Sequence, residues 1–230
     1  MAREFNRSMF VMLLSIMIGV SIITYFVADI KARNEERIEA TSQIENLEQK
    51  NINFTNYFIR SSVILDKARE DRALGNYYFD LALLWYQSAL SEKNQTNMEL
   101  YKTRAIENST NSGPNFINSQ LNFEEAENFF IDTKSLTDYP DYITVLDLYI
   151  DLTESGSTLA KLRYNASFYL IYLAENLTFS EEDNNVTYLG NMTFILMIFE
   201  EIMMQCEEAE QQYEKKQEEI DEYEFFDEVR

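Results

Sequence analysis

The 230 residues contain no histidine, one cysteine, two prolines and five glycines. Without histidine, the commonest general base at neutral pH is missing, and with it Ser-His-Asp triads and imidazole-ligated metal sites. A single Cys206 excludes an intramolecular disulfide. Small secreted eukaryotic domains usually carry several. If exported, this chain is held by core packing, which fits an archaeal or viral source. So few Gly and Pro disfavour an all-β fold built from many tight turns. Positive charge is scarce too. Nineteen Lys and Arg face 40 Asp and Glu, a net of −21, and no Lys or Arg occurs from Tyr164 to Glu214. That sign repels phosphate, so no nucleic-acid partner is expected. Phosphate-cradling glycine loops, G-x-S-x-G and Cys-x-x-Cys are also absent. Paired Glu lack the Glu-x-x-His of di-iron bundles. "EEDNN" at 181–185 lacks the spacing of an EF-hand loop and reads as a solvated turn. No catalytic residue, cofactor or metal site is assigned, and a non-enzymatic role is expected.

Against these absences stands one long apolar run. Met9–Ala28 is twenty consecutive uncharged residues. At about 1.5 Å per residue it covers roughly 30 Å, one hydrocarbon core. A cleaved signal peptide would have a shorter apolar core and a small residue at −3, where Phe26 stands if the cut follows Ala28. The run is therefore read as an uncleaved anchor in contact with membrane lipid. Arg3 and Arg7 precede it, and Lys31, Arg33 and Arg37 follow, so flanking charge does not fix its direction.

The Asn-x-Ser/Thr triplets do. Twenty Asn and 30 Ser plus Thr in 230 positions give about 2.6 triplets by chance (20 × 30/230), and eight are present. Asn6 lies too close to the anchor to be useful. The other seven, Asn53, Asn94, Asn108, Asn165, Asn176, Asn185 and Asn191, all follow it, six of them with Thr in third position. Such asparagines accept N-linked glycans on exported proteins. The expected topology is a cytoplasmic tail (1–8), a transmembrane helix (9–28), a helical stalk (29–52) and an extracytoplasmic bundle (53–230).

The expected fold is all-α. The anchor helix continues into an elongated antiparallel bundle of about four long helices. The stalk is rich in charge and carries sparse apolar residues at Ile30, Ile38, Ile44 and Leu47. After residues 51–53 a second stretch, Phe54–Leu90, places Phe54, Phe58, Leu65, Ala68, Tyr78, Ala82, Trp85 and Ala89 on one broad face. Stalk and stretch could pair antiparallel about Asn53, with a bend at Gly75. "NSTNSGPNFINSQ" at 108–120 is read as a loop broken by Gly113-Pro114, followed by a short helix, Phe123–Lys134. Pro140 marks the start of the next helix, which reaches about Asn176, with a kink expected at "ESGS". Ser180–Asp183 resembles a capping box before a last helix starting near Val186. That helix carries a heptad seam, Phe199, Ile202, Cys206, Ala209, Tyr213, Lys216, Ile220 and Tyr223, giving the C-terminus coiled-coil character.

These features imply a single-pass, glycosylated structural or accessory subunit of a cell-surface or envelope assembly, with other protein subunits, identical or different, as partners. The architecture also looks like the four-helix ectodomains of chemoreceptors. That resemblance implies a sensor-type ligand-binding bundle working with a partner signalling chain.

Overall fold

The computed structural model describes the backbone of residues 2–223 and the side chains of Lys31 and residues 33–223. The described chain is helical apart from one small hairpin: α1 (Ala2–Ser91), α2 (Gln95–Lys134), α3 (Pro140–Glu175), β1 (Leu177–Ser180), β2 (Asn185–Tyr188) and α4 (Thr193–Asp221). Met9–Ala28 lies outside the residues whose side chains are described. Among those that are, no helix is long and apolar enough to cross a membrane. The chain divides into two units, Met1–Ile52 and Asn53–Arg230. In the first, every described side chain is exposed.

The second unit is an up-down-up-down bundle. Ser119 Oγ donates to Ala68 O (2.8 Å) and Trp85 stacks on Tyr101, which sets α2 antiparallel to α1. Ser109 Oγ donates to Ser167 O (2.9 Å), and Lys134 pairs with Asp147, which sets α3 antiparallel to α2. Arg163 with Glu210 and Lys216 with Asp151 do the same for α4 on α3. The heptad seam of α4 faces this interior: Phe199, Cys206, Ala209, Tyr213 and Ile220 are buried in the chain's own core.

Five local expectations are corrected. Residues 108–120 are not a loop, because α2 runs unbroken from Gln95 to Lys134 and absorbs the expected short helix. Ser109, Ser112, Gly113 and Ser119 are buried there. Their small side chains allow α2 close to its neighbours, and their hydroxyls are spent on backbone carbonyls and on Ser167 Oγ. A polar composition thus builds a tight helix contact rather than a turn. Pro114 is tolerated on the exposed side. It costs an intrahelical hydrogen bond and crowds the preceding turn. Pro114→Ala is therefore expected to stabilise the protein by about 2 kcal/mol, since part of the helix gain of about 3 is offset by a freer unfolded chain. Urea unfolding measures it.

Second, α1 passes through residues 51–53 without a break, so no antiparallel return begins at Asn53. Third, Gly75 is not a bend. A Cβ there would lie 2.7 Å from Phe116 Cε1, so Gly75 is a notch that admits the Phe116 ring. Fourth, α3 is continuous through "ESGS", where Gly156 is a second notch. A Cβ on it would lie 2.5 Å from Phe123 Cε1. Phe116 and Phe123, seven residues apart on α2 and both 0% exposed, fill one notch on each neighbour. Burying each ring contributes about 1.5–3 kcal/mol.

Fifth, Val186 does not open a helix. Residues 177–180 and 185–188 pair as an antiparallel hairpin in register Leu177↔Tyr188 to Ser180↔Asn185. "LTFS" and "NVTY" supply the β-branched and aromatic residues strands prefer. Asn184 takes the positive φ (49°) that the turn needs. Ser180 Oγ accepts from Asp183 N at 3.5 Å inside that turn, so the capping-box residues close a hairpin. Helix α4 begins seven residues later, at Thr193.

Candidate functional site: the sequon-bearing end of the bundle

The hairpin closes one end of the bundle. Leu177 and Val186 are buried against the core that holds Ala89, Met98, Leu173 and Phe199. The Tyr86 and Tyr188 hydroxyls share a hydrogen bond, and Lys102 Nζ donates to Leu177 O (2.8 Å). Burial, then the bond to Tyr188, raise the Tyr86 pKa. The α1–α2 turn meets the hairpin at this same end.

Four of the seven predicted acceptors gather here. Asn94 caps α2, its Oδ1 accepting from Asn97 N (3.1 Å). Asn176 ends α3, its Nδ2 donating to Tyr172 O (2.8 Å) and its carbonyl accepting from Leu189 N (2.7 Å). Asn185 opens β2, with Oδ1 accepting from Val186 N (2.9 Å). Asn191 lies just before α4, not on its first turn, and its Oδ1 accepts from Thr193 N (3.1 Å). The remaining three are on helices. Asn53 is at the opposite end of this unit, and Asn108 and Asn165 are on α2 and α3 at the level of the Ser109–Ser167 contact. None of the seven is buried.

A glycan is attached through Nδ2, so the hydrogen bonds sort the set. Asn94, Asn185 and Asn191 are exposed, use Oδ1 as an acceptor and leave Nδ2 for the sugar. Their Thr96, Thr187 and Thr193 are exposed as well. Asn108 and Asn176 spend Nδ2 on the carbonyl four residues back. The Ser167 of the Asn165 triplet is buried in the α2–α3 contact. From sequence, Asn191 is the doubtful acceptor, on a first helical turn before an apolar run; here it is exposed ahead of α4, and the differences among the seven come from caps and turns.

A partly buried polar layer between the helices of the bundle was not anticipated. Arg163 Nη2 meets Glu210 Oε2 at 2.7 Å. Arg72 lies over the Tyr213 ring (3.9 Å to its centre), and Arg69 Nε donates to Tyr213 Oη (3.1 Å). Burial lowers the Arg72 pKa against the attraction of Tyr213 and Glu210. Burial also pushes the Cys206 thiol from 9.0 up to about 11. The thiol is 0% exposed and cannot bridge to a second chain unless the bundle opens. Because the folded thiol holds its proton longer than the unfolded one, its contribution is complete below pH 9 and lost as pH rises towards 11. Stability is expected to fall by roughly 2 kcal/mol from this group across that window. Cys206→Ala should flatten the slope in denaturation curves taken from pH 8 to 11.

Carboxylates do not converge on an enclosed pocket among the described residues. An open cleft of about 320 Å³ between α3 and α4 is lined by Asp151, Glu154 and Lys216. Its Lys216 Nζ already donates to Asp151 (3.0 Å) and Glu219 (3.2 Å). No group of three or more metal-ligating side chains occurs among the described residues. No protein-family model, curated protein or solved structure matches the chain.

Proposed function

We propose that this chain is a single-pass membrane glycoprotein, N-terminus cytoplasmic, whose helical bundle is a non-catalytic structural or accessory subunit of a cell-surface or envelope assembly. The observation that carries this reading is the placement of the seven sequons. None is buried, and the three best-exposed ones crowd the end of the bundle opposite Asn53. Eight such triplets stand where composition gives about 2.6 by chance, and seven of them follow the apolar run. The apolar run Met9–Ala28 supplies the anchor. Sugars keep the far end hydrated, and the unmodified helix faces are left to pack against partners.

Extraction in mild detergent, followed by identification of co-purifying chains, tests this. A stable complex is the expected result. A monodisperse monomer without partners contradicts it.

The sensor reading has one observation in its favour. Arg72 Nη1, Asn76 Oδ1 and Arg163 Nε are buried without a hydrogen-bond partner inside the bundle, and buried polar groups ordinarily find one. A small molecule retained in native mass spectrometry, and lost in Arg72→Met, would favour the sensor.

A further inference from the structure

We infer that the bundle holds a small hydroxylated carboxylate between Arg72 and Arg163, with its hydroxyl donated to Asn76. This gives a ligand class to the ligand-binding reading of the same buried groups and rests on that reading.

The core forms two clusters, one around Leu65, Phe123 and Leu159, the other around Phe79, Phe116 and Leu170. On α1, Arg72 and Asn76 fall between Ala68 of the first cluster and Phe79 of the second. On α3, Arg163 falls between Leu159 and Ala166 in the same way. Arg72 and Asn76 are a helical turn apart and share a face. Arg72 Nη1, Asn76 Oδ1 and Arg163 Nε are all buried at this junction without a hydrogen-bond partner. Buried donors and acceptors left unmet are costly, charged ones most of all.

Charge separates a guest from a water. Arg69 meets Asp66 at 3.3 Å, and Arg163 meets Glu210 at 2.7 Å. Arg72 has no ion pair among the described residues and lies over the Tyr213 ring. Burial, foremost, and the nearby Arg69 and Arg163 lower its pKa against Tyr213 and Glu210. The junction therefore holds one guanidinium more than its carboxylates match, in a chain whose net charge is −21. A water would serve the three atoms but not the charge, and buried charges are ordinarily paired.

The atoms set the chemistry of the guest. Glu210 takes only Nη2 of Arg163 and leaves Nε, on the same edge of the guanidinium, unmet. One carboxylate oxygen accepts from that Nε and the other from Arg72 Nη1, two charge-assisted bonds. Asn76 Oδ1 is an acceptor and calls for a donor on the same molecule, which a hydroxyl supplies. Glycolate carries that set.

Thermal unfolding of the full chain in detergent, with glycolate replacing chloride at constant ionic strength, is the test. The midpoint should rise by about 5–10 °C at a hundred times the dissociation constant. Acetate lacks the hydroxyl and should need about tenfold more for the same rise. Neutral glycolamide should give none. Arg72→Met should still fold, because an apolar side chain replaces an unpaired buried cation, and should lose the glycolate dependence. Asn76→Ala should make glycolate and acetate equivalent. Equal midpoints in chloride and glycolate, or a glycolate shift that survives in Arg72→Met, overturn the proposal. Glycolamide as effective as glycolate keeps a ligand in the bundle and overturns the anion. A glycolate shift in a chain that co-purifies with no signalling partner keeps the site and removes the sensor.

Discussion

Gly156→Val is expected to destabilise the bundle by about 3 kcal/mol, a large fraction of the roughly 5–15 kcal/mol that holds a typical domain folded. Even the single methyl of Gly156→Ala puts a Cβ 2.5, 2.6 and 2.8 Å from three atoms of the Phe123 ring. That ring is 0% exposed and sits edge-on to Tyr213, 6.0 Å between centres, so it has nowhere to retreat. In an exposed helix the same Gly→Ala change would stabilise by about 1 kcal/mol. The sign is therefore diagnostic. Gly113 supplies the control, since its added Cβ would lie 3.6 Å from Tyr164, an ordinary contact. Gly113→Ala should be neutral or stabilising. If the notch is the cause, adding Phe123→Leu to Gly156→Ala should restore part of the loss. Chemical denaturation of the four variants measures all of this. Tolerance of Gly156→Val would mean that α2 and α3 do not pack as described.

Arg163→Ala is expected to cost about 3 kcal/mol. Arg163 is 13% exposed and its partner Glu210 31%, at 2.7 Å, so this is the least exposed ion pair among the described residues. Removing the guanidinium leaves Glu210 partly buried without its nearest cation, which is the costly half of breaking such a pair. The guanidinium also lies 5.6 Å from the centre of the Phe79 ring, so its loss opens space in the core. Replacing both partners by Met should recover most of the loss, because two apolar side chains carry no desolvation cost. The double variant thus separates the pair from the packing. If Arg163→Ala and the double variant are equally destabilised, the ion pair is not what joins α3 to α4.

Much of the helical content, though not the full extent of α2, was legible because apolar residues recur at three and four. Leu65, Ala68, Ala82 and Ala89 on α1, and the α4 seam from Phe199 to Ile220, are buried as that spacing requires. What misled was composition. Gly75, Gly113, Pro114 and Gly156 look like punctuation, yet all four lie inside helices. A glycine beneath a phenylalanine from another helix and a glycine in a turn are the same letter; only the partner's ring distinguishes them. The hairpin was hidden for the opposite reason. Its strands have four residues each, too short for a period of two to stand out beside the capping-like Ser180–Asp183. The polar layer of Arg69, Arg72 and Arg163 could not be read locally either, since its acceptors Tyr213, Gln217 and Glu210 lie 47 to 148 positions away. The sequons were legible as a set but not as individuals, because caps and turns decide which Nδ2 is free.

Intact-glycopeptide mass spectrometry of the protein from its native membranes tests the central claim most directly. N-linked glycans are expected after the anchor, with Asn94, Asn185 and Asn191 occupied more fully than Asn108 and Asn176. Seven bare asparagines would contradict the exported, glycosylated topology on which the functional reading stands.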